Sequence, residues 1–303
     1  DAVRFVRAFD GANGGLVRGM LAPARIETMT LDLLRESKRA SDELGCPIRL
    51  HAAQGTRELA FLERRHGKTP IELLHEIGFL GPRTLIPHAQ YLRGRAGVPI
   101  GAQDEVALLA ESGTSVVYCP LTNAQYGGLL DTFTAYREAG VNIALGTDTF
   151  PPDMIQAMAT GHNLEKIATG RLDAASFADL YRAMSLGGAK ALGRDDLGRL
   201  APGAKADITI VDLSALRTGP IDDPIRMLCM NCHGDCVRDV IVSGRHVVQN
   251  RAIPGVDIPQ LRAAANAYFA RYKQAYAAWD VRHGTPDDLF PSSFRTIAPP
   301  HRR

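Results

Sequence analysis

Five short apolar runs, Leu16 to Leu21, Pro47 to Leu50, Thr84 to Pro87, Thr114 to Cys119 and Val141 to Gly146, recur about every thirty residues and alternate with amphipathic stretches. Such alternation marks βα units around a parallel sheet, because parallel neighbours need a crossover long enough to hold a helix. The stretch from Thr30 to Leu44 carries Leu31, Leu34 and Leu44 on one stripe, and Thr69, Pro70 and Glu72 form a capping box with proline at the first helical position. Five units make just over half of an eight-stranded barrel, and an open half-barrel leaves edge strands exposed. The expectation is an α/β fold, the C-terminal part of a (β/α)8 TIM-type barrel, with strands 4–8 within residues 1–192. The first strands are then expected upstream of Asp1 or on another chain.

Three polar residues stand just past three of these runs: His51 closes PIRLHAAQ, His88 closes TLIPHAQ and Asp148 follows VNIALGT. In α/β barrels the carboxyl ends of the strands face the active site. Two imidazoles and a carboxylate delivered to one rim suit metal-assisted hydrolysis, although each residue taken singly has the look of a cap or a packing residue. The remaining histidines, His66, His75, His162, His246, His283 and His301, fall on helices, a hairpin or the tail and read as solvated or packing side chains.

After Gly193 the pattern changes. LGRLAPGAKADITIVDL and CVRDVIVSGRHVVQN read as antiparallel strands, the second a hairpin turning at Ser243 and Gly244, so residues 193–254 are expected to form a small β-sandwich module. Residues 255–303 then read as a helix from about Ile258 to Trp279 and a proline-rich tail.

Composition narrows the class. The 35 basic and 33 acidic residues are spread evenly, leaving a net charge of +2 and no footprint for nucleic acid or an anionic membrane surface. No apolar stretch reaches the roughly 18 to 20 residues of a membrane span and no secretory leader opens the chain, so the cytoplasm is the default expectation. Of the five cysteines, Cys229, Cys232 and Cys236 crowd together, and CMNCH fits the pattern of covalent haem attachment. Without an export signal or a small helical frame, buried free thiols are the preferred reading over haem or a structural zinc.

The order of HAAQ, HAQYL, VVYCPLTN, GVNIALGTDT and LGRLAPGAKADITIVD, with a closing hairpin, resembles the amidohydrolase superfamily. The branch is the one holding triazine chlorohydrolases, guanine and cytosine deaminases and S-adenosylhomocysteine deaminase. The resemblance implies a metal-bearing barrel with zinc, or alternatively Fe(II), and a hydrolase that breaks a non-peptide C–N or C–heteroatom bond of a heterocyclic or amide-like small molecule. It implies His51 as a metal ligand, Asp148 as the aspartate that approaches the metal and takes a proton from its bound water, and His88 as the group that polarises the substrate. Metal-bound hydroxide is the expected nucleophile, since a divalent ion lowers the pKa of bound water to about 7. Gln54 is placed in the catalytic and substrate-binding set, and Asn123, Gln125, Tyr126 and Arg25 are candidates to bind substrate. A homo-oligomer is expected by analogy.

Two departures shift the expected chemistry. Deaminating relatives carry HxxE where this chain has Gln54, and an amide cannot donate a catalytic proton at neutral pH. Where many deaminases place a histidine, this chain reads APARIET, with Arg25 able to meet an anionic group or to pair with Glu27 or Asp32. Displacement of a leaving group that needs little protonation is therefore favoured over deamination. A third departure is that the family's HxH pair occurs nowhere in these 303 residues, so it is expected upstream or on a companion chain. The alternative to an enzyme is a catalytically silent subunit with a binding or assembly role, which metal content would separate from it.

Overall fold

The computed structural model describes residues 1–92, 104–128, 133–149 and 151–294; His301 lies outside them. They fall into two compact units, residues 1–251 and 252–303.

The first unit is built on a four-stranded parallel sheet in the order β1 (Ile48–Arg49), β2 (Thr84–Pro87), β3 (Ser115–Tyr118) and β4 (Asn142–Leu145). Sequential order with helical crossovers is what a right-handed βα barrel wall requires. Ile48 pairs with Thr84, Ile86 with Val116 and Val116 with Ile143, so the register places apolar side chains in line. Leu34, Ile48, Leu50, Leu74, Phe79, Ile86 and Val116 are wholly buried in one continuous core. Strands buried on both faces read as unbroken apolar runs, which is why four of the five runs were legible.

The run from Leu16 to Leu21 is the exception. Only Leu21 pairs with β1, through Leu21 N–H to Pro47 O at 3.0 Å and Arg49 N–H to Leu21 O at 2.9 Å. Upstream, Asn13, Gly14 and Gly15 turn the chain with positive φ, and Asp10 Oδ1 holds the Gly19 N–H at 2.7 Å. Downstream, Pro23 has no N–H to give, and pairing resumes only at Arg25 opposite His51. The predicted strand is thus a broken edge of isolated bridges. At the other side of the sheet, Gly187 approaches so closely that a Cβ there would lie 2.1 Å from the Ile143 carbonyl oxygen, and Asn142 donates to the Gly187 carbonyl at 3.1 Å.

Helix starts follow the expected chemistry. Thr30 Oγ1 accepts from the Leu33 N–H to open the Leu31–Leu44 helix, and the capping box at Thr69 and Glu72 is complete in both directions. Beyond the parallel sheet lies a three-stranded antiparallel sheet, β5 (Ile208–Val211), β6 (Val237–Val242) and β7 (Arg245–Val248), with Ser243 and Gly244 at positive φ in the hairpin turn. The second unit holds the Ile258–Trp279 helix and a Pro286–Leu289 turn that brings Phe290 edge-on to Tyr276 at 5.7 Å. No helix among the described residues is long and apolar enough to cross a membrane.

Candidate active site

His51, His88 and Asp148 come together at the carboxyl ends of β1, β2 and β4. The His51 and His88 rings lie 5.6 Å apart, nearly parallel, and His88 Nε2 stands 3.8 Å from Asp148 Oδ2. Three side chains separated by up to 97 positions in sequence, 148 less 51, therefore share one rim.

Each imidazole is held by its far nitrogen. His51 Nδ1 contacts the Ala24 carbonyl at 2.8 Å, and His88 Nδ1 contacts Asn123 Oδ1 at 3.2 Å. Both partners are acceptors, so Nδ1 carries a hydrogen in each ring and Nε2 is the nitrogen left for other contacts. Burial pushes the His88 imidazole below the ordinary histidine value, and the Asn123 hydrogen bond and the Asp148 charge only partly offset it. At neutral pH His88 is thus neutral, and its 3.8 Å approach to Asp148 is not an ion pair.

The loops carrying these side chains are strained in the same way. Ala53, His88, Ala89 and Asp148 all have positive φ, at 55°, 71°, 45° and 57°. Left-handed backbone is costly for residues with a Cβ and persists only where surroundings over-determine it. Here the Ala53 carbonyl accepts from both Gln90 and Tyr91 N–H groups at 2.9 Å, Tyr136 donates to the Ala89 carbonyl at 2.9 Å, and Thr122 donates to the Thr147 carbonyl at 3.3 Å.

Glu58 completes that support, and sequence reasoning missed it. Its two carboxylate oxygens accept from the Ala53 and Gln54 N–H groups at 2.5 and 3.0 Å, pinning the turn that follows His51. The signal available was a glutamate seven residues after His51, four after the polar turn. Burial pushes the Glu58 carboxyl up to about 7, against the two backbone donors that favour its charge. A folded value above the unfolded one means the contribution to stability is full below about pH 4.5 and is lost as pH rises through about 7. The stability difference between the native protein and Glu58→Gln should therefore shift by about 3 kcal/mol against the native protein between pH 4.5 and 8. Denaturant melts at a series of pH values read this directly, and a pH-independent difference contradicts it.

The other expected residues separate into two groups. Asn123 is buried, with Oδ1 engaged by His88 and by Gln90 Nε2 at 3.1 Å, which makes it the group that orients His88. Gln54 is half-buried, and its Oε1 is buried with no donor from the protein. Arg25 pairs across the sheet edge with His51, and its Nε meets Glu27 at 2.6 Å, the salt bridge that was one of its two expected fates. Gln125 and Tyr126 are exposed at the end of the Pro120–Gln125 helix.

The donor set present, two imidazoles held through Nδ1 and a carboxylate, fits a divalent ion of the zinc or iron type. It is a partial set: among the described residues no group of three or more His, Cys, Asp and Glu side chains has the arrangement to hold an ion unaided.

Comparison with known proteins agrees with the fold. The Amidohydrolase family pattern matches residues 2–247. A 5-methylthioadenosine/S-adenosylhomocysteine deaminase of Halobacterium salinarum is 31% identical over 269 residues, covering 88% of this chain and 60% of that protein. Among solved structures, an adenosine deaminase from Xanthomonas campestris with bound zinc superposes with a TM-score of 0.81 at 28% identity, covering 89% of this chain and 60% of that one. An atrazine chlorohydrolase from Arthrobacter aurescens complexed with zinc shares the fold, with a TM-score of 0.77 at 21% identity over 88% of this chain and 59% of that one. The chain spans about 60% of the length of the proteins it matches. With the family pattern running from the first helix to the last strand of the hairpin, the chain belongs to the amidohydrolase family.

Proposed function

We propose that this chain carries the strand 4–8 half of a metal-dependent hydrolase acting on an electrophilic ring carbon of a nitrogen heterocycle, the substrate class named in its relatives. One observation carries the reading: the His51 and His88 rings stack 5.6 Å apart on a single strained rim, with His88 Nε2 3.8 Å from the Asp148 carboxylate. His51 is the metal ligand of this chain and Asp148 the second, with the remaining donors, the family's HxH pair, lying outside these 303 residues. When bound, the ion supplies the Lewis acidity that brings the pKa of a water to about 7.

The chain's own groups do the rest. Asp148 Oδ2 accepts the proton of the attacking water. His88, neutral and fixed by Asn123, directs Nε2 at the site and in its neutral form accepts rather than donates a hydrogen bond there. Gln54 Oε1, buried without a protein donor, takes an N–H or O–H of the substrate. Because Gln54 has no proton to release at neutral pH, ring substituents that leave as anions are preferred over amines. The antiparallel sheet of β5–β7 is read as part of the β-sandwich module.

A panel of chloro-, alkylthio- and amino-substituted purines and triazines tests this on the metal-loaded protein. Chloro and thio compounds should turn over at least about tenfold faster than their amino counterparts, and Gln54→Glu should narrow that gap. Preference for the amino compounds refutes the leaving-group assignment, and absence of bound metal together with absence of turnover refutes the enzyme in favour of a silent subunit.

A further inference from the structure

Away from the rim, a pair of thiols meets a guanidinium. Cys232 caps the Pro224–Asn231 helix and Cys236 closes the short Gly234–Cys236 turn four residues later, and both are buried. Arg217 approaches Cys236 Sγ at 3.4 Å while also pairing with Asp235 at 2.9 Å. Although Cys236 is only 4% exposed, it lines a cavity of about 210 Å³ together with Arg217, Asp235 and Arg251, wide enough to admit a molecule the size of a peroxide. The other three cysteines, Cys46, Cys119 and Cys229, are buried and line no such opening among the described cavities.

We propose that Cys232 and Cys236 form a redox-active dithiol that a peroxide oxidises to a disulfide, with Arg217 holding the attacking Cys236 sulfur. Cys236, as thiolate, attacks one peroxide oxygen; the O–O bond breaks, hydroxide leaves and takes up the proton that Cys236 lost, and Cys236 becomes a sulfenic acid. Cys232 then attacks that sulfur; the S–O bond breaks, and the thiol proton of Cys232 leaves with the hydroxide as a second water. Two thiols are oxidised by two electrons and one peroxide is reduced to two waters.

The electrostatics agree with this division of labour. Burial opposes charge on Cys236, but Arg217, a backbone hydrogen bond at His233 and the Cys232 thiol outweigh it and hold Cys236 below the ordinary cysteine value. Cys232 is pushed up to about 11, first by burial and then by Cys236, while Cys119 and Cys229 are pushed up to about 12 by burial.

One hydrogen bond ties this turn to the Met154–Thr169 helix. The Gly234 N–H donates to Asp153 Oδ2 at 2.7 Å, and Asp153 Oδ1 caps the Met154–Thr169 helix through the Ile155 and Gln156 N–H groups at 3.0 Å. Drawing the two sulfurs to the bonding distance of about 2.05 Å acts on the turn that carries Gly234. Oxidation therefore loosens the cap of that helix. The proposal stands independently of the reaction assigned above.

Hydrogen peroxide followed by alkylation and peptide mass spectrometry tests it. Cys236 should react at least about tenfold faster than Cys46, Cys119 or Cys229, and the product should be a Cys232–Cys236 disulfide that dithiothreitol reverses. Cys232→Ser should leave Cys236 as a trapped sulfenic acid, Arg217→Gln should slow it, and Arg217→Lys should restore part of the rate. Uniform reactivity of all five cysteines, or a Cys236 product that never links to Cys232, overturns the dithiol. Faster amide hydrogen exchange at Ile155 and Gln156 in the oxidised protein is expected, and unchanged exchange there overturns the link to that helix cap.

Discussion

Asp148→Asn should lower kcat of the metal-loaded protein by about a thousandfold, within the range of 10² to 10⁴ that a positioned proton acceptor supplies. The substitution is nearly isosteric, and Asn tolerates the left-handed backbone that Asp148 adopts at φ 57° better than any other residue with a Cβ. The loop should therefore keep its course, held as it is by Thr122 through the Thr147 carbonyl. What is lost is a basic oxygen 3.8 Å from His88 Nε2, since an amide oxygen does not take up a proton near pH 7. KM should change by less than about threefold if the carboxylate acts mainly on the proton rather than on the bound ring. Metal per chain, measured on the same preparation, separates loss of chemistry from loss of the ion. A variant that retains its metal and keeps kcat within tenfold of the parent removes Asp148 from the proposed role.

How much of this was legible beforehand depended on how local each signal is. The positions of His51, His88 and Asp148 at strand ends follow from apolar runs that β1, β2 and β4 match to within one residue at each end. The Thr69 capping box and the Ser243–Gly244 turn are likewise written within four residues of chain. The broken edge at Leu21 was hidden because an apolar run states burial and not pairing; Pro23 and the glycine turn before it decide the pairing. Asn123 looked like a pocket residue because it follows β3, yet its distance in sequence from His88 concealed the hydrogen bond that makes it an orienting group. Glu58 was invisible for a different reason. A glutamate in an amphipathic helix reads as solvated, and only the tertiary fold shows its carboxylate turned inward onto two backbone N–H groups. The common factor is that pairwise polar contacts between distant segments leave no period in the sequence, whereas burial does.

His51→Ala and His88→Ala should divide the site into a metal-holding and a substrate-facing half. His51 is oriented by a backbone carbonyl, that of Ala24 at 2.8 Å, the arrangement that fixes the tautomer of a ligating imidazole and sharpens its lone pair. Removing even such an outer partner costs about 10- to 100-fold in metal affinity in other sites, so deleting the imidazole itself should weaken zinc binding at least about 100-fold. His88 is oriented instead by a side-chain amide that can yield as the ring changes its hydrogen bonding, and its burial keeps it neutral. Its deletion should leave zinc affinity within about tenfold while lowering kcat by about 100-fold or more. Competition with a chelator of known strength measures the first quantity and steady-state turnover the second, on the same two variants. Equal loss of metal from both makes His88 a ligand, and retention of metal by His51→Ala removes the imidazole on which the metal assignment of this chain rests.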